Sequence, residues 1–358
     1  MKKQNKFYDG TKLLSLMDIN GEKPEIYMCT SNRSAGKTTY FNRLLVNRFI
    51  KHKYKFMLVY RFDYELDDCA NKFFKDIGGL FFSGYYFFSE KRSRGKYHEL
   101  FIDKGERPDD NNKTGIPCGY AISMNSAEFI RKASHFFSDT SIMFFDEFQS
   151  ETNNYLPNEL NLLQSIHTSV ARGQGMQSRY VPLIMCSNQV SIINPYYVEF
   201  DIANRIQENT NFLRGEGWVL ENGFVESASL AQKQSAFNRA FKKSNYLAYS
   251  SENIYLNDSR AFIEKPVGAS KYIATLKYKD TEFALREYRE LGIIYCDTNV
   301  DRTYPHRLSI TTADHNVNYV MLKTASPFVQ NMRYYFEHGA FRFKDLSCKD
   351  CIMHMISY

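Results

Sequence analysis

The stretch SNRSAGKT, residues 31–38, decides the reading of this chain. It follows EIYMCT, residues 25–30, a short apolar strand candidate, and precedes Lys37–His52, whose apolar residues recur at helical spacing. Strand, turn and helix in that order are the setting of the phosphate-binding loop G-x-x-x-x-G-K-[ST], and the match fails only at the first glycine, where Ser31 stands. Phosphate needs consecutive backbone N–H groups aimed inward at a helix N-terminus, and Gly36 lets the chain approach it closely. Ser31, Asn32, Arg33, Ser34, Ala35, Gly36, Lys37, Thr38 and Thr39 are therefore the expected nucleotide-binding residues, with Lys37 reaching the β- and γ-phosphates and Thr38 ligating Mg²⁺. A Ser/Asn-rich turn before an ordinary helix is the plainer alternative.

A second element weighs against that alternative. IMFFDE, residues 142–147, is an apolar run ending in two adjacent carboxylates, as when a buried parallel strand delivers acids to its C-terminal edge. Asp146 is expected to hold the magnesium shell, and Glu147 to polarise the attacking water as a carboxylate not committed to the metal. LIMCSN, residues 183–188, is a further apolar strand, and Asn188 at its end is the candidate sensor of the γ-phosphate found in P-loop ATPases that use a catalytic glutamate. Asn is equally at home there as a turn residue. Arg172, in SVARGQG, stands between the acids and the sensor strand, a place from which an arginine can reach a neighbouring subunit's nucleotide, although on position alone a solvated surface arginine is the favoured reading.

Outward from these motifs, KFMLVYRF (55–62) reads as a second buried strand and 64–77 as a helix, so the opening alternates as a parallel α/β sheet does. Residues 78–124 turn to Gly, aromatic and basic residues and predict a β-rich, lid-like insertion, with an exposed loop at 105–114. Strands are expected at 141–145 and 180–187 and a helix at 157–170. The first domain is expected to close near 205, a helical connector to occupy 206–255 with Ser229 as a cap, and a second domain to fill 256–358, with strands near 271–277, 282–287 and 292–296.

Composition sets outer bounds. Hydrophobic residues make up 43% of the chain and charged residues 24%, which places it among globular proteins. No run approaches the roughly 20 apolar residues of a membrane span, and MKKQNKFYDG lacks a signal peptide's apolar stretch, so a cytosolic protein with no membrane partner is expected. Seven cysteines, an odd number, point to free thiols rather than a secreted framework. Cys348, Cys351 and His354 have ligand-like spacing but form one cluster where structural zinc takes four ligands, so buried helical positions are expected. A net charge of +6 permits nucleic acid without demanding it.

Taken in order, the loop with Arg33, FFDEF, NNYLPNE (153–159), Arg172, CSN-V-NPY (186–196), FIEK (262–265), YCDT (295–298) and ITTAD (310–314) resemble the packaging ATPases of small tailed podoviruses infecting Gram-positive bacteria. The resemblance implies a P-loop ATPase domain of the catalytic-glutamate type, with a mainly parallel central sheet, joined by a helical linker to a smaller α/β RNase H-like C-terminal domain that has lost nuclease activity. It implies a homo-oligomeric ring, usually pentameric, that uses ATP and Mg²⁺ to drive double-stranded DNA through the portal, or connector, into a preformed procapsid in the host cytoplasm. A packaging RNA is left open as a further partner. Carried over by position, Lys37 and Thr38 are Walker A residues, Asp146 and Glu147 the Walker B pair, Arg172 a finger acting in trans, and Arg33 a second contact in the pocket. Asp63 stands where a relative can carry lysine, which puts an intersubunit role at that strand end in doubt.

KYIATLKYK (271–279) contains no carboxylate, and Asp297 and Asp314 are isolated, so no nuclease activity is expected. DNA contacts are expected to the phosphate backbone, with Lys91–Lys96, Lys242 and Lys243 as candidates. A large terminase subunit with an active nuclease, a non-hydrolysing NTP-binding scaffold at the capsid vertex, and a helicase are the competing readings.

Overall fold

The computed structural model describes residues 7–105, 114–152, 154–173, 175–192, 194–203, 205–206, 210–240, 262–323 and 326–357. Most of the loop expected at 105–114, together with Lys242 and Lys243, lies outside them. The chain divides into two compact units, Met1–Val190 with Gln207–Ile254, and Ser191–Ile206 with Tyr255–Tyr358.

Strands that are apolar on both faces need helices above and below, and they pair in parallel. In the first unit, α1 (Thr11–Ser15) and β1 (Ile26–Ser31) are followed by α2 (Lys37–His52), β2 (Lys55–Tyr60) and α3 (Cys69–Phe81). Then come β3 (Tyr85–Arg92), β4 (Tyr97–Lys104), β5 (Ile116–Ser123), α4 (Ala127–Lys132), β6 (Thr140–Asp146), α5 (Glu159–Val170) and β7 (Leu183–Asn188). After α6 (Pro195–Glu199), which belongs to the second unit, the chain returns with β8 (Phe212–Gly215), β9 (Trp218–Asn222), α7 (Glu226–Gln234) and α8 (Ala236–Ala240). The sheet order is β3-β4-β5-β2-β6-β7-β1-β9-β8. The six strands from β5 to β9 run parallel, and β4, β3 and β8 are antiparallel additions.

Alternate residues of the parallel strands share a face. Tyr27, Cys29, Phe56, Leu58, Ile142, Phe144, Ile184 and Cys186 pack with Phe41, Leu45 and Phe49 of α2 and Phe73, Phe74 and Ile77 of α3. Phe41 meets Phe144 at 5.9 Å between ring centroids, and Phe56 meets Phe73 at 5.2 Å. Burial of each such ring contributes about 1.5–3 kcal/mol. This core fixes α2, and with it the loop before it, against the sheet.

Two stretches take a form the sequence did not convey. Residues 78–124 are β-rich as expected, and their strands extend the sheet sideways, β5 pairing with β2 from Phe56↔Gly119 to Tyr60↔Ser123. Within 206–255, the stretch expected as a helical connector, β8 and β9 form a hairpin on the sheet's far edge, with β9 beside β1 from Ile26↔Trp218 to Thr30↔Asn222. The strands are only four and five residues long and flank a tight turn, too short to carry a strand pattern of their own. Gly215 is required there, because a Cβ would fall 2.2 Å from the Trp218 ring. The expected cap Ser229 lies inside α7.

The second unit holds β10 (Lys271–Tyr278), β11 (Thr281–Tyr288), β12 (Ile293–Asp297), β13 (Arg307–Ser309), β14 (Val320–Met321), α9 (Pro327–Glu337), β15 (Phe341–Phe343) and α10 (Leu346–Ser357). Its sheet order is β14-β13-β10-β11-β12-β15. An antiparallel meander β10–β12 is extended by parallel strands on both sides. The meander with β13 and β14 added in parallel beyond β10 is the arrangement of an RNase H-like sheet.

Candidate nucleotide site at the strand ends

The sheet order sets β7 between β1 and β6, so Ser31, Asn188 and Asp146 end three adjacent parallel strands on one edge. Ser31 and Asn188 are register partners. Ligands of open parallel sheets bind at that edge.

The turn from β1 into α2 depends on two left-handed residues, Ser34 at φ +63° and Gly36 at φ +92°. Glycine takes such a φ without a Cβ clash, and Gly36 is the N-cap of a 16-residue helix whose free N–H groups face the loop. Lys37, the first residue of α2, is buried, and its Nζ donates to Ser31 Oγ at 2.9 Å, to the carbonyls of Ser31 and Asn32 at 3.3 and 3.2 Å, and to Asn188 Oδ1 at 3.3 Å. Burial pulls the lysine's pKa down, against the opposing influence of Cys29, Cys186 and Asp146. Ser31, which departs from the glycine pattern, thus supplies an acceptor for the loop's lysine.

Thr38 Oγ1 donates to Asp146 Oδ2 at 2.8 Å. Burial pushes the Asp146 carboxyl up, while the Thr38 hydroxyl, the Glu147 amide and Lys37 pull it down. A hydroxyl and a half-buried carboxylate side by side are the hard-oxygen donor set that Mg²⁺ takes, and a cation there would offset the carboxylate's charge. Glu147 has φ +56°, uncommon for a residue with a side chain, and its N–H donates to Asp146 Oδ1 at 3.0 Å. Its carboxylate reaches solvent, yet desolvation by the surrounding protein, followed by the like charges of Asp146 and Glu151, pushes its pKa up. Arg33 at the loop's rim pairs with Glu151 at 2.9 Å. Ala35 is buried within the loop, and Thr39 continues α2 half-buried.

Arg172 is not brought to this group. The 12-residue α5 spans about 18 Å and carries the chain from the Glu147 edge back to the start of β6. There Arg179 donates to the Thr140 and Val170 carbonyls at 3.1 and 2.8 Å, and Arg172 stands exposed one residue beyond the helix cap. It therefore sits at the opposite end of β6 from Asp146.

In the second unit Glu282 pairs with Arg307 at 2.9 Å and Arg302 at 3.7 Å and accepts from the Tyr319 hydroxyl, and Asp297 pairs with Arg286 at 3.4 Å. Asp314 accepts from the backbone of Lys279 and Asp280 at 3.0 and 2.9 Å. Cys348 and Cys351 are buried on α10, and His354 Nδ1 faces Asp350 at 3.1 Å. Of the expected DNA-tracking residues, Lys91 pairs with Asp67 at 2.8 Å, and Arg92 pairs with Glu90 and Glu99, each at 2.8 Å.

A sequence model of the podovirus DNA encapsidation protein (Gp16) family matches residues 1–357. The chain belongs to that family. It is similar to the DNA packaging protein of Bacillus phage phi29, with 26% identity over 323 residues that cover 88% of this chain and 86% of the relative. Its fold is similar to a chain of the bacteriophage phi29 viral genome packaging motor assembly, with a TM-score of 0.53 and 23% identity over 98% of this chain and 99% of that one. A chain of the phi-28 gp11 DNA packaging motor gives a TM-score of 0.56 and 16% identity over 99% of each.

Three contacts around the loop of this encapsidation protein were not foreseen. Asn32 makes a two-way amide contact with Val225, donating at 3.1 Å and accepting at 2.9 Å. Gln232 of α7 donates to Ser34 Oγ at 2.8 Å. Tyr8 N donates to the Ala35 carbonyl at 2.9 Å. No short motif signals them, because the partners are far apart in sequence and consist largely of backbone atoms. No helix among the described residues is long and apolar enough to cross a membrane.

Proposed function

We propose that this encapsidation protein is the ATP-hydrolysing motor itself: a homo-oligomeric ring, pentameric in the reading from family resemblance, that sits at the portal in the host cytoplasm and translocates double-stranded DNA into the procapsid. The observation that carries the reading is the meeting of Lys37, Thr38, Asp146 and Asn188 at the ends of three neighbouring parallel strands, with Glu147 next in the chain.

The free N–H groups at the start of α2 favour a triphosphate there. Lys37 exchanges its Ser31, Asn32 and Asn188 acceptors for phosphate oxygens, and Asn188, already within reach of Lys37, reads the γ-phosphate. Thr38 and Asp146 would hold Mg²⁺, which neutralises charge on the phosphate oxygens when bound. Glu147 is not a ligand in this scheme and is left to take the proton of the attacking water. Arg172 lies too far along α5 to serve its own site, so its finger role is toward an adjacent copy in the ring. DNA is gripped through its phosphates, as translocation along any sequence requires. In the second unit the arginines on Glu282 and Asp297 occupy the carboxylates that a two-metal nuclease would need free, which supports the reading without DNA cleavage.

The test is ATP turnover by the full chain with and without double-stranded DNA. Lys37→Ala is expected to lose nucleotide binding. Glu147→Gln is expected to bind nucleotide normally and lose at least about 100-fold in turnover, in line with loss of a general base. Full turnover by Glu147→Gln contradicts the proposal.

A further inference from the structure

Arg61, just past β2, is 7% exposed. Its Nε and Nη2 donate to the two carboxylate oxygens of Glu159 at 2.9 and 3.1 Å. Nη1 donates to the Glu147 carbonyl at 3.3 Å and Nη2 to the Phe148 carbonyl at 2.8 Å. The rings of Phe145 and Tyr155 lie 5.3 and 5.1 Å from the guanidinium carbon. Glu159, at the start of α5, is also fixed, its Oε2 accepting from Leu156 N at 2.9 Å.

A buried arginine–carboxylate pair is a poor way to gain stability, because desolvation offsets most of its attraction and an apolar pair of similar volume often does as well. What an apolar pair lacks is the further set of donors, and here those are spent on two successive carbonyls of the segment that carries Glu147. That residue's left-handed backbone persists only where its surroundings over-determine it. Phe148 N donates to the Cys186 carbonyl at 3.1 Å, so the peptide after Glu147 is held from β7 on one side and by Arg61 on the other. Both groups that anchor the guanidinium, the Glu159 carboxylate and the Glu147–Phe148 backbone, lie in the first unit.

We propose that Arg61 is a positioning residue: locked by Glu159, it sets the backbone from which the Glu147 carboxylate is aimed. This rests on the ATPase reading given above. Nothing in the role requires Arg61 to touch nucleotide. Its loss therefore leaves binding intact and moves the catalytic carboxylate, where displacement of about 1 Å is worth on the order of 100-fold in rate.

The experiment uses the full chain and compares Arg61→Lys, Glu147→Gln and the double variant, measuring the Kd of a fluorescent ATP analogue and kcat for ATP. Arg61→Lys keeps the charge and loses the fork. The expected result is a kcat reduced by about 10- to 100-fold with Kd within about twofold of wild type, and no further loss when it is added to Glu147→Gln, as for residues acting as one unit. Wild-type kcat in Arg61→Lys, Kd weakening in step with kcat, or multiplicative losses in the double variant each overturn the proposal. If Arg61→Lys does not give a cooperative melt, Glu159→Gln, which keeps its shape and one acceptor oxygen, is judged by the same criteria. A wild-type chain without ATP turnover, or an unimpaired Glu147→Gln, sinks the ATPase reading itself. An active wild type and an inactive Glu147→Gln beside an unaffected Arg61→Lys sinks only the role of Arg61.

Discussion

Ser31 stands where the loop pattern has glycine, and its hydroxyl is the shortest contact of the Lys37 ammonium, at 2.9 Å. A lysine that must reach phosphate has to leave that acceptor, and a hydrogen bond to a charged group is worth about 1.5–3 kcal/mol, partly recovered from the new partner. Ser31→Gly is therefore expected to tighten nucleotide binding about two- to tenfold, read by titration with a fluorescent ATP analogue. Unchanged or weaker binding would show that the hydroxyl does not compete. Lys37, Thr38, Asp146 and Glu147 were legible as candidate site residues because each sits in a short run whose spacing carries its own chemistry. Arg61 and Asn32 were not legible in the roles described here, because what defines them is contact with carbonyls and amides remote in the chain. The Asn32–Val225 contact bridges 193 positions, and no local pattern encodes such a distance.

Among the elements, β4 carries His98, a buried histidine whose ring lies 3.6 Å from the Cys69 sulfur of α3. Burial lowers its pKa from the usual 6.5, helped by nearby Lys91 and opposed by Asp67. A histidine whose folded pKa lies below its unfolded value binds more protons when unfolded, so stability rises with pH through that window and falls on acidification from 6.5 downward. Thermal melts of the chain should therefore show the first unit losing stability as the pH falls from about 6.5 downward, and His98→Asn should flatten that dependence. A slope unchanged by the substitution would place its origin elsewhere. The long apolar strands and the α2 periodicity were plain in the sequence, because a strand buried on both faces is a continuous hydrophobic run. The β8–β9 hairpin was not, because its strands are only four and five residues long and gain their identity from pairing with β1.

At the scale of the whole molecule, α5 separates Arg172 from the candidate nucleotide edge of its own chain. If the finger acts between copies, turnover should rise more steeply than linearly with protein concentration, and Arg172→Ala copies mixed into wild type should depress activity beyond their share. A finger of this kind contributes about 10³ to 10⁵ in rate, so even a few inactive neighbours are visible. Activity proportional to the wild-type fraction would return Arg172 to the status of a surface arginine. The second unit leads to a separate expectation. With Glu282 and Asp297 each engaged by arginine, the full chain incubated with supercoiled plasmid and Mg²⁺ or Mn²⁺ should leave it intact, and nicking abolished by Asp297→Asn would contradict this.

The strand beneath the phosphate loop is flanked on both sides by parallel neighbours, β7 along its whole length and β9 along most of it. In hydrogen exchange such a strand is expected to be among the slowest-opening parts of the unit. If that loop takes the triphosphate as proposed, the seat of the fuel is mounted where the sheet is expected to give least, and any recoil under load is expected outside it.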